Sequence, residues 1–199
     1  MTRPFMTDPE LLKSLRGQQY LVLRPVADVA TFYDEEQAAL QQRLPDGLSW
    51  PNTGHVTLRG FYEPDRVTLL CDALAAWAEN QSPIDLQVVA VDGFPPPFQV
   101  LLARLERTPS LVTAYANLTG VLDPTDLYRI GELPLEEWVF HLSLIYARSL
   151  DEQQWQTAHA QTRRDLSPSP AELITCAEFV WYDEDGEHAK ILPFATATS

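Results

Sequence analysis

Two of the four histidines stand in the same tetrapeptide pattern, His55-Val56-Thr57-Leu58 and His141-Leu142-Ser143-Leu144. Each runs histidine, aliphatic, hydroxyl, leucine. If both segments are strands, period two puts His55 with Thr57, and His141 with Ser143, on one face, while Val56, Leu58, Leu142 and Leu144 turn to the other. Two imidazoles and two hydroxyls facing a common gap suit phosphoryl chemistry without a metal. One histidine serves as base, the other as acid, and the hydroxyls donate to nonbridging oxygens. Imidazole titrates near neutrality, so the pair can hold opposite protonation states at one pH. Arg59, four residues after His55, shares the face by parity and is placed to neutralise phosphate. One such tetrapeptide would more often be structural, and its repetition at equivalent places in two halves is what singles it out. His159 and His188 lack partners in sequence and read as solvated surface residues. A zinc site from His55 and His141 lacks a third ligand in the motifs, so no metal or other cofactor is expected.

The elements that must position these residues come in two similar series. In the first half, Tyr20 to Pro25 reads as a strand, Val29 to Arg43 as a helix, Gly54 to Phe61 as the His55 strand, a helix follows a Pro64-Asp65 cap, and Ile84 to Val91 is a strand. In the second, Phe98 to Leu105 is a strand, Pro109 to Leu118 a helix, Val139 to Tyr146 the His141 strand, and Leu150 to Arg164 a helix announced by Ser149 and Glu152 at capping-box spacing. Leu173 to Tyr182 and His188 to Phe194 form a closing hairpin around Asp183-Glu184-Asp185-Gly186. The order of elements repeats. The expected fold is α+β, with two pseudo-symmetric lobes of small, largely antiparallel sheets, outer helices and a cleft between them. The chain reads as a single domain over residues 1–199, with lobes near 20–92 and 98–194 that can exchange strands.

Composition sets limits on what this cleft can serve. With 14 Lys+Arg against 28 Asp+Glu, the 199 residues carry a formal charge of −14. That argues against a protein that coats nucleic-acid backbones, and leaves open a small anionic substrate in a locally basic cleft. At 45% hydrophobic and 21% charged, the chain can bury a real core. Cys71 and Cys176 match no metal spacing, no apolar run suits a membrane span, and nothing at the N-terminus resembles a secretory leader, so a cytoplasmic location is expected. A monomer is expected.

The paired His-x-Thr/Ser-x motifs resemble those of the 2H phosphoesterase superfamily, which includes the 2'-5' RNA ligases and the 2',3'-cyclic nucleotide phosphodiesterases. The likeness spans about Tyr20 to Phe194. His141 through Ala147, and Phe98-Gln99-Val100 through Thr108-Pro109, are closer to the plant and yeast cyclic phosphodiesterases. The resemblance implies that His55 and His141 are the acid/base pair and that Thr57 and Ser143 bind phosphate. It also implies that Tyr146, five residues after the second histidine, lines the site, where the ligase branch usually has a basic residue. Strict alternation puts Tyr146 on the wrong face, so it reaches the site only if the strand bulges or ends there.

The reading implied is hydrolysis of cyclic phosphodiesters on ribose: a nucleoside 2',3'-cyclic phosphate, an RNA cyclic-phosphate end or an ADP-ribose cyclic phosphate. Neither a membrane nor extended nucleic-acid binding is expected. One alternative is 2'-5' ligation of polynucleotide ends, which needs a basic groove. Another is a nucleotide-binding module that keeps the pocket without turnover.

Overall fold

A computed structural model describes residues 3–195. Five helices, α1 (Pro9–Leu15), α2 (Asp28–Gln41), α3 (Val67–Glu79), α4 (Pro109–Leu122) and α5 (Glu152–Thr162), are interspersed among ten strands in this described stretch. The strands are β1 (Gln18–Leu23), β2 (Val56–Tyr62), β3 (Ile84–Phe94), β4 (Val100–Leu105), β5 (Arg129–Ile130), β6 (His141–Tyr146), β7 (Arg164–Asp165), β8 (Ala171–Ile174), β9 (Cys176–Asp183) and β10 (Gly186–Pro193). The sheet runs β10-β9-β1-β2-β6-β4-β3-β7, with β5 beside β2 and β8 beside β3. The α+β class and the antiparallel sheet are as expected.

The halves of the sheet are not the halves of the chain. Strand β3, which closes the first series in sequence, pairs with β4, and β9 pairs with β1. The expected strand from Leu173 to Tyr182 is really two. It breaks at Thr175, after β8 has paired with β3, and continues as β9 beside β1. One half-sheet is therefore β10-β9-β1-β2 and the other β6-β4-β3-β7. Between β2 and β6 a single residue pair, Val56 with Leu142, joins them.

A main core fills one face. Leu70, Leu74 and Trp77 of α3, and Leu111, Tyr115 and Leu118 of α4, meet Val56, Leu58, Leu142 and Leu144 there. Helix α4 starts at a Thr108 cap followed by Pro109, and α5 has a capping box made by Asp151 and Gln154, two residues beyond the Ser149/Glu152 spacing. No side-chain cap precedes α3, so Asp65 does not do what its position suggests. A smaller cluster lies on the opposite face, where Phe5, Met6, Leu12 and Leu15 cover Val22, Val180 and Tyr182.

Helix α2 reaches the motif strands through a buried polar chain. The Tyr33 hydroxyl donates to the Ser143 carbonyl (2.9 Å), and Gln37 Nε2 donates to the Tyr33 hydroxyl and to the carbonyls of Pro51 and Leu144. Tyr33 passes so close to the residue before His55 that only glycine fits. A Cβ on Gly54 would stand 2.8 Å from Tyr33 Cγ and 3.1 Å from Leu142 Cδ2. Gly54→Ala is expected to cost about 1–3 kcal/mol of stability through overpacking, read as a lower urea midpoint with an unchanged slope.

Candidate active site

His55 immediately precedes β2 and His141 is the first residue of β6. Antiparallel register through Val56 and Leu142 sets His55 opposite Ser143 and Thr57 opposite His141. All four side chains therefore share the face away from the main core. Val56, Leu58, Leu142 and Leu144 turn the other way and are fully buried. An approximate twofold relation passes through the one pair that joins the half-sheets.

The two imidazoles are held alike. His55 Nδ1 lies 3.3 Å from the Thr53 carbonyl oxygen, and His141 Nδ1 lies 2.8 Å from that of Val139. A carbonyl only accepts, so Nδ1 carries the proton in each ring and Nε2 is the free nitrogen of the neutral form. An aromatic edge stands against each ring at 4.9 Å between centroids, Phe5 on His55 and Phe94 on His141. Burial pushes the His55 imidazole down to about 4, with Arg24 and His141 adding to the push and the Thr53 carbonyl opposing it. Burial also lowers His141, against the Val139 carbonyl.

Tyr146 does reach the cleft. Between Leu101 and Leu102 the β4–β6 register shifts, so β6 carries one extra residue after Ser143. Leu144 and Ile145 both turn into the core and Tyr146 returns to the histidine face. Tyr146 then borders a hollow of about 180 Å³ with His55, Thr57, Tyr20 and Tyr182. Burial pushes its phenol up while the Ser143 hydroxyl pulls the other way, so it stays a protonated donor.

Arg59 is brought elsewhere. The β1–β2 register shifts between Leu21 and Val22, which inserts an extra residue in β2 after Thr57. The bulge that restores Tyr146 to the cleft in one strand removes Arg59 from it in the other. Arg59 is 1% exposed beneath the sheet, where it donates to the Tyr115 hydroxyl, Thr119 Oγ1 and Glu132, and its guanidinium sits over the Tyr115 ring. The parity placement of Arg59 is thus corrected. Beyond the bulges the two strands part. Each takes a short partner five residues after its histidine, Ile130 on Gly60 and Ser49 on Tyr146.

A family model described as the 2'-5' RNA ligase superfamily matches residues 28–186. The chain belongs to that superfamily. Comparison with curated proteins gives no match. Among solved structures it is similar to TT0787 of Thermus thermophilus, at 14% identity and TM-score 0.64, covering 88% of this chain and 94% of that one. It is also similar to a phosphoesterase, at 12% identity and TM-score 0.59, covering 90% of this chain and 99% of that one. Escherichia coli LigT complexed with 3'-AMP matches at 12% identity and TM-score 0.57, with the same coverages. Within this 2'-5' RNA ligase fold, the two motif strands of the chain are the pair that meets at the centre of the sheet.

Several residues around the site of this superfamily member carry no sequence signal. Arg24, opposite His55 on β1, makes a bidentate pair with Glu178 at 2.8 and 3.0 Å and lies 3.6 Å over the Phe5 ring. Glu187 accepts from the backbone N–H groups of Phe5 and Met6, which ties the N-terminal segment down beside His55. The contacts of Glu178 and Glu187 join residues more than 150 positions apart in sequence, beyond the reach of local patterning. His159 and His188 do have partners: His159 bonds Asp92 and stacks on Trp155, and His188 bonds Asp183 and stacks on Trp181. Among the described residues, no cluster of three or more His, Cys, Asp or Glu could hold a metal, and no helix is long and apolar enough to cross a membrane.

The lowered histidines fix a pH dependence. In the unfolded chain both titrate near 6.5, so between 6.5 and about 4 the unfolded state takes up the His55 proton more readily than the folded state. Stability contributed by neutral His55 is present above 6.5 and lost as pH falls through that window. Imidazole NMR of the free protein should show both midpoints below 6.5, with His55 near 4. A midpoint at or above 6.5 for either ring would contradict the burial described.

Proposed function

We propose that the protein hydrolyses a cyclic phosphodiester on ribose, without a metal, through His55 and His141. The observation that carries this reading is the opposition of two imidazole–hydroxyl pairs across the Val56–Leu142 bridge, each ring with Nδ1 on a backbone carbonyl and Nε2 free. A phosphate centred there meets a proton acceptor on one side and a proton donor on the other, in line. Thr57 and Ser143 donate to its equatorial oxygens as charge builds, and Tyr146 adds a third hydroxyl. The structures of LigT with 3'-AMP and with phosphate support a phosphate-binding role for this fold.

The two histidines divide the work unequally. Burial, to which Phe5 contributes, and the Arg24 charge keep His55 neutral most strongly, so His55 takes the proton of the attacking water. His141, held by the shorter backbone bond, protonates the departing ribose oxygen. An anionic phosphate raises both imidazoles on binding, since an opposite charge favours the cation. That shift supplies the protonated form His141 needs. A hydrolase is favoured over a ligase because the N-terminal segment lines the β1–β9 side of the cleft with the apolar residues Phe5, Met6 and Leu15, where a polynucleotide ligand would need a basic track. Tyr146, in place of the basic residue usual in the ligase branch, supports the same choice.

Turnover of a nucleoside 2',3'-cyclic phosphate in the presence of chelator tests this directly. His55→Ala and His141→Ala should each lower kcat/KM by about 10²–10⁴-fold, and Thr57→Ala or Ser143→Ala should lower kcat by about 10²-fold. The kcat/KM profile should be a bell centred below pH 6.5, because both free-enzyme midpoints lie there. Activity abolished by chelator and restored by zinc would overturn the mechanism, as would wild-type rates in either histidine variant.

A further inference from the structure

The approximate twofold relation pairs more than the motifs. Arg24 stands opposite His55 on β1, by extension of the Leu23–Val56 pairing, and Arg104 stands opposite His141 on β4. One strand further out each arginine meets a carboxylate, Glu178 on β9 and Asp92 on β3, in the rows that contain Thr57 and Ser143 respectively. The chain has placed a histidine, an arginine and a carboxylate in the same order on both sides of the centre.

The two arginines differ in what is left for a ligand. The Arg24 side chain is 8% exposed, and its donors go to both Glu178 oxygens, the Arg3 carbonyl and Thr53 Oγ1 under the Phe5 ring. Its guanidinium is used up in fixing the N-terminal segment. The Arg104 side chain is 43% exposed and makes one ion pair, at 3.3 Å, with Asp92. Asp92 has other partners: His159 Nε2 at 3.0 Å, the Gly93 N–H at 2.9 Å and Arg163 at 3.8 Å. Arg104 can therefore turn to a ligand without leaving a lone carboxylate behind. It also borders a hollow of about 350 Å³ beside Val139 and Trp138, where Arg107 is already bound to backbone carbonyls and Glu106 and Glu136 are exposed.

We propose that Arg104 binds a second phosphate of the substrate, so that the preferred cyclic phosphate is one esterified at its 5' oxygen and not the free nucleoside. The inference rests on the phosphoesterase reading above. The reacting phosphate sits at the centre of the twofold relation. Arg104 lies one strand outward, with its guanidinium directed further out toward Asp92, so it meets a group on the far side of the ribose. On the opposite side the hollow beside His55 is only about 180 Å³ and is lined by Phe5 and Met6, against about 350 Å³ beside Arg104, so the β3–β4 side offers the room for the rest of the substrate. A guanidinium matches phosphate in a two-pronged geometry that a point charge does not reproduce. A nucleotide end, an RNA terminus and a ribose bearing a diphosphate all present this chemistry.

The test compares kcat/KM for adenosine 2',3'-cyclic phosphate with that for the same compound carrying a 5'-phosphate, in wild type, Arg104→Ala and Arg104→Lys. The ratio is internal to each variant and so does not depend on the folded fraction. Wild type should favour the 5'-phosphorylated compound by at least about tenfold, in line with a charge-assisted hydrogen bond. The preference should collapse toward one in Arg104→Ala and be partly kept in Arg104→Lys. A wild-type ratio near one, or a ratio that Arg104→Ala leaves unchanged, overturns this inference while the hydrolase reading stands. Hydrolysis of neither compound by wild type overturns both.

Discussion

The structure depends on a join one residue pair wide. Val56 and Leu142 are the point where two half-sheets meet, and both are completely buried. Had β2 and β6 paired along their length, the histidines and hydroxyls would lie on a continuous sheet surface open to solvent. Because the strands part after one pair, the four side chains flanking it converge. Each strand then satisfies its free edge with a borrowed segment, Ile130 on β2 and Ser49 on β6. Above the one main core of the described residues, the parting of two strands is thus enough to create a cleft.

What holds this narrow join is a buried polar chain as much as apolar packing. Bulges release carbonyls from the ladder, and an unpaired buried carbonyl is costly. Tyr33 and Gln37 of α2 supply donors to Ser143 and Leu144 at the β6 bulge. They can do so because Gly54 leaves room for the tyrosine ring. The residue before the first histidine therefore serves the strand that carries the second. Beneath β2, Arg59 connects the other bulge to α4 through Tyr115 and Thr119, so a charged residue that parity assigns to the cleft is a strut of the core.

The motif itself is legible because alternation along a strand is a strong local rule, and it holds for the three residues from His55 to Thr57 and from His141 to Ser143. The same rule fails at Arg59 and asks for a bulge at Tyr146, and one physical event accounts for both. An extra residue enters each strand just after its hydroxyl position, and bulges leave no reliable residue signature when the residues involved are Leu-Arg or Leu-Ile. Strand partners are less legible than strands. The choice of β4 for β3, and of β1 for β9, is made by packing between segments distant in sequence, which local periodicity does not encode. Phe5 is invisible for the same reason, since its place beside His55 depends on Arg24, Glu178 and Glu187.

The electrostatics follow from the same architecture. A chain with a formal charge of −14 concentrates paired arginines around two imidazoles that burial keeps neutral, and in the proposed reading fixed donors take the place of the solvent that a phosphate would lose on arrival. The central claim is that both imidazoles face one phosphate. Its most direct test is an imidazole NMR titration of the wild-type protein with a nucleoside 2'-monophosphate. The His55 and His141 signals should move together with one dissociation constant, and both midpoints should rise in the complex. Movement of only one ring, or two separate dissociation constants, would contradict it.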